Sequence, residues 1–109
     1  MKPLSQILSN LIVLAEEVIT RPNIDRFAFG ERLADLAQAV RHAAARPAED
    51  IRTTSAALVM ITALEEYRYA HPGIDTSRWL MLAGCALPLL RADAFTAFVN
   101  EREQKGDRS

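Results

Sequence analysis

One cysteine, Cys85, is too few for an intramolecular disulfide or a cysteine zinc cage and suits a reducing compartment. Its neighbours Ala83, Gly84, Ala86 and Leu87 supply no base or cation that would activate a thiol, so the sequence reads Cys85 as a small core residue. Aromatic residues make up only 6% of the chain, and no segment alternates apolar and polar residues as a half-buried strand does. The four glycines are too dispersed to cradle a phosphate. P-loop, GxGxxG, GxSxG and HExxH patterns are all missing. An excess of one charge is missing too. Thirteen basic and fourteen acidic side chains interleave to a formal charge of -1, so bulk electrostatics draws the chain to neither a phosphate backbone nor an anionic bilayer. Near the N-terminus, Ser5, Gln6, Ser9 and Asn10 interrupt the apolar residues, and Glu16 and Glu17 follow them. That pattern supports neither a signal sequence nor a membrane span, so the expectation is a cytoplasmic protein without a membrane partner.

What is present is helix-forming. Half of the 109 residues are hydrophobic, with alanine and leucine dominant, and a quarter are charged, an ordinary globular balance at the size of one domain. Leu4, Ile7, Leu8, Leu11, Ala15, Val18 and Ile19 recur at helical spacing and predict a first helix over 4–20, ended by Pro22. A second helix carries Phe29, Leu33, Leu36, Ala37, Val40 and Ala44 and starts either near Ile24 or after Gly30; in the first case something packs tightly on Gly30. A third opens near Pro47, with Glu49 and Asp50 favouring its dipole, and runs toward Tyr69. Ala57, Met60, Ile61, Leu64 and Tyr67 share one face, while Leu58 and Val59 make its middle apolar almost all round. That predicts a central position, or one side exposed for binding. His71, Pro72 and Gly73 break the chain. Asp75 can cap the next helix, with Ile74 and Trp79 placed as a hydrophobic staple. Pro88 predicts a kink or a break before a last helix bearing Leu90, Ala94, Phe95, Phe98 and Val99. The expected fold is all-α, a compact bundle of four to five helices with a central apolar third helix. It forms a single domain over 1–103, with a polar tail at 104–109.

The chemical inventory is thin. His42 lies opposite the apolar stripe of its helix, and His71 sits in a helix-ending turn. The acid pairs Glu16/Glu17 and Glu65/Glu66 lack the histidine three residues on that di-iron bundles use, and adjacent side chains diverge by about 100° on a helix. No catalytic, cofactor or metal site is predicted. Arg41, Arg46 and Arg52 bracket a turn and give a DNA-binding regulator as the alternative reading. Glu49 and Asp50 dilute that patch, and the helix after it becomes apolar too soon for a recognition helix. A small enzyme would need a pocket lined by His71 with Glu65 or Glu66.

Pro72, Trp79, Leu82, Ala83, Ala94 and Phe95 resemble part of a tetratricopeptide hairpin, over the last third of the chain and with no second copy at the repeat period. The resemblance implies a groove for a partner helix. From the residues themselves, a small bundle with wide apolar faces suits a non-enzymatic interaction protein, an adaptor, chaperone or inhibitor holding a protein partner, or a homodimer. Tyr67, Arg68, Tyr69 and Trp79 are the candidate contacts, since aromatic and arginine side chains carry much interface energy. Of these, Trp79 is also a core candidate.

Overall fold

The computed structural model describes residues 3–21, 26–45, 51–70 and 76–106, and among them every regular element is a helix. Helix α1 (Leu4–Thr20) follows extended Pro3, whose carbonyl accepts the first N–H groups, from Gln6 and Ile7. Leu4, Ile7, Leu8, Leu11, Ala15 and Val18 turn inward as their spacing predicts, and Leu14 widens the stripe.

Helix α2 (Arg26–Ala44) begins before Gly30, so the glycine is interior and buried. Close packing is the reason it is tolerated. The guanidinium of Arg68 lies across it, and a Cβ at Gly30 would come within 3.0 Å of that group. Phe29, Leu33, Ala37, Val40 and Ala43 face the core.

Helix α3 (Ile51–Tyr69) buries Thr54, Ala56, Ala57, Met60, Ile61, Ala63, Leu64 and Tyr67. It packs between α2 and α4 and barely meets α1, so it has neighbours on two sides without being enclosed. Val59 stays 43% exposed.

Helix α4 (Ser77–Gly106) is the largest departure from the expected fold. It is one helix of 30 residues that runs through Pro88, so there is no break there and, among the described residues, no fifth helix. It also continues past position 104, into the segment expected as a polar tail. Proline in a helix removes the N–H that would pair with the carbonyl four residues earlier, here that of Gly84. Both Pro88 and Gly84 are exposed, and the space beside Gly84 is open, so water can reach that carbonyl. A continuous helix also removes the tetratricopeptide resemblance, which places Trp79, Leu82 and Ala83 on one helix and Ala94 and Phe95 on the next.

Each helix packs on its successor, and α4 closes back onto α1. Ser5 meets Glu101 and Glu16 meets Arg91, so α1 runs antiparallel along the second half of α4. Ser55, Ala56 and Val59 of α3 line a groove with Leu82, Cys85, Ala86 and Leu89, along its first half. The spine of the molecule is therefore α4, and the chain is elongated, 55 × 23 × 21 Å. The Pro22 turn, the Pro47 opening with Glu49 and Asp50, the His71–Gly73 breaker, the Asp75 cap and Ile74 of the staple lie outside the described residues.

Candidate interaction surface

At 100° per residue, the buried side chains of α4 occupy one narrow sector: Ala83, Ala86, Leu90, Ala94 and Ala97. Four of the five are alanines, which let α1 and α3 approach closely. Four other large apolar residues of α4 lie outside that sector. Met81 is 70% exposed, Leu89 63%, Phe95 69% and Phe98 47%. Phe95 and Phe98, read from the sequence as apolar members of the last helix, are thus on the surface. Cys85, expected in the core, is exposed as well, because it faces away from Ala83 and Ala86. From Trp79 to Leu90 no residue of α4 is charged.

Beside this face, the groove between α3 and α4 has a volume of about 370 Å³, and its lining is apolar apart from Ser55 and Asp93. Met81, Leu82, Leu89, Phe95 and Phe98 together expose on the order of 600 Å² if a large side chain presents about 200 Å² when free. That matches the largest patches of ordinary monomers, which are often functional.

The four residues expected as contacts are scattered. Tyr67 is only 2% exposed and meets Phe29 edge-on, with ring centroids 6.2 Å apart, so it belongs to the core. Trp79 is half-buried against the core, with the Arg78 guanidinium 6.0 Å from its ring centre. Arg68, lying over Gly30, donates to the Tyr69 hydroxyl at 3.2 Å. Arg68 and the exposed Tyr69 line a second groove, between α2 and α3, with Gln38, Arg41, His42 and Glu65. The structure thus brings Arg68 and Tyr69 together and leaves Tyr67 and Trp79 elsewhere. Arg41 is paired with Glu65 across that groove. Arg46 and the side chain of Arg52 lie outside the described residues.

The remaining polar contacts hold the helices in place. Glu16 and Glu17 diverge around α1 as adjacent helical residues must, one reaching Arg91 on α4 and the other Arg32 on α2 at 2.6 Å. The hydrogen bond from Arg32 lowers the pKa of Glu17 below the ordinary glutamate value, against a small opposing effect of burial. Glu101 accepts from both the backbone N–H and the hydroxyl of Ser5, at 3.0 and 2.6 Å. Among the described residues, no cluster of His, Cys, Asp or Glu is placed to hold a metal ion.

By length and composition, Ser77–Glu103 is also apolar enough to cross a membrane. Pro88 divides the stretch when it is read as two helices, which hides its length in the sequence. Arg91 and Asp93 fall at the middle of that stretch, where each charge costs about 2.5–3.5 kcal/mol in hydrocarbon. No protein-family profile, curated protein or solved structure matches this chain.

Proposed function

We propose that the chain is a non-enzymatic interaction module that holds a protein partner on the outer face of α4, in the manner of a small adaptor, chaperone or inhibitor. One observation carries the reading. The longest helix buries four of its five alanines and exposes Met81, Leu89, Phe95 and Phe98. Large apolar residues clustered on one exposed face and left out of the chain's own core mark a contact with something else. The fully buried centre of such a contact is where aromatic anchors contribute most. The groove beside Val59, Leu82 and Leu89 extends that face toward α3 and suits an amphipathic helix.

The test is photo-crosslinking in cells, with a photoreactive amino acid replacing Phe95 or Met81 on the outer face and Asp35 or Gln38 on α2 as controls. The α4 positions are expected to give discrete protein adducts and the α2 positions none. Equal labelling at all four sites would remove the reading.

A further inference from the structure

We infer that the occupant of the outer face of α4 is a second copy of this chain, paired antiparallel through α4 about a two-fold axis near residue 90. This rests on the reading above, that the face binds protein. Met81, Cys85, Pro88, Ala92, Phe95 and Val99 follow one another at steps of four and three residues. They occupy a sector about 80° wide, opposite the buried alanines. That is the 3.5-residue repeat of a two-helix seam, and it extends for about 27 Å along the helix.

The order of steps reads the same in both directions, so an antiparallel copy aligns every member. Phe95 comes level with Cys85 of the second copy, Met81 with Val99, and Pro88 with Ala92. On one flank Phe98 faces Gly84, where a side chain would meet nothing within 4 Å. On the other flank Leu89 meets its own counterpart. Large thus faces small at both phenylalanines. A parallel pair would set Phe95 on Phe95, Arg78 on Arg78 and Arg102 on Arg102. Arg91 comes close to its counterpart across the axis, and each already carries Glu16 as a counter-ion.

The area of the face supports the same occupant. Its large apolar side chains alone expose on the order of 600 Å², close to the about 800 Å² that each partner of a stable dimer buries. One self-complementary patch on each copy closes the assembly as a pair.

Light scattering and thiol crosslinking on the purified full chain test this. The expected mass is twice 12.1 kDa, returning to the single-chain mass in Phe95→Glu with helical content unchanged. Phe95→Cys should form a covalent dimer through Cys85 of the other copy under mild oxidant. The wild-type thiols should not, being about 15 Å apart along the paired helices, where a disulfide needs Cα atoms within about 7 Å. Nor should the double variant Phe95→Cys/Cys85→Ser. Crosslinking of the wild type would overturn the antiparallel register. A monomer whose outer-face photo-crosslinks fall on a different protein overturns the second copy while the interaction reading stands. A monomer that labels no protein, or that floats with phosphatidylcholine/phosphatidylglycerol vesicles, overturns both.

Discussion

Pro3 precedes α1 without offering a side-chain cap, and the first turn of α1 contains no acid. The N-terminus of a helix leaves N–H groups unpaired, and a carboxylate there satisfies them and complements the dipole. Here the carboxylate comes from Glu101, 96 positions away, bonded to both the N–H and hydroxyl of Ser5. One residue therefore caps α1 and fixes its register on α4. Glu101→Ala should cost about 1–2 kcal/mol, the range of a lost cap with charge-assisted bonds, measured by urea unfolding. Ser5→Ala should cost less, because the N–H bond survives. Glu17 gives a pH signature of known sign. Its folded pKa lies below the ordinary value, so the unfolded chain binds more protons as the pH drops through that range. The stabilisation from Arg32 is present above the ordinary glutamate range and is lost as pH falls through the depressed folded pKa. Arg32→Ala should lower the urea midpoint slightly at pH 7 and leave it unchanged at about pH 2. The effect is small because both side chains are well exposed.

At the scale of the element, α1 was legible and α4 was not, for a physical reason. On α1 the apolar residues form one stripe, so periodicity alone says which side turns inward. On α4 apolar residues occupy both sides, and hydrophobicity cannot choose between a face of alanines and a face of Met81, Leu89, Phe95 and Phe98. The choice was made by neighbours: α1 and α3 approach α4 closely only where its side chains are small. The same ambiguity hid the candidate surface. Phe95 was read only as part of the last helix, and Tyr67 as a partner contact although it shares the helical face of Met60 and Leu64. Pro88 was legible as an anomaly, while its tolerance depended on the exposure of Gly84. Ala83→Leu, at a fully buried position of α4, should then overpack the bundle and cost about 1–3 kcal/mol. Phe95→Ser should change stability by less than about 0.5 kcal/mol. Both are read at protein concentrations low enough to keep the chain monomeric. A loss of about 3–5 kcal/mol in Phe95→Ser would instead mark Phe95 as core.

For the whole molecule, charge and apolar surface serve separate ends. The described ion pairs, Glu16 with Arg91, Glu17 with Arg32 and Glu65 with Arg41, each join two helices at the surface. With a net charge of -1, little is left over for steering a charged partner. Surface pairs contribute at most about 1 kcal/mol each and are screened as salt rises. The core and the outer face of α4 are apolar, and burial of apolar surface does not weaken in sodium chloride. Between about 0.1 and 1 M salt, where the screening length falls from about 10 to 3 Å, loss of these three pairs should lower unfolding stability by no more than about 3 kcal/mol. Association through α4 should hold over the same range or strengthen. A phosphate-binding protein behaves in the opposite way, because each neutralised phosphate adds to the salt slope, and several contacts remove a thousandfold or more in affinity. Sedimentation equilibrium across that salt series, alone and with duplex DNA, separates the two. A flat dimer constant with no DNA-bound species is the outcome expected from the structure, while DNA binding that collapses steeply with salt would return Arg41 and its neighbouring arginines to the centre of the function.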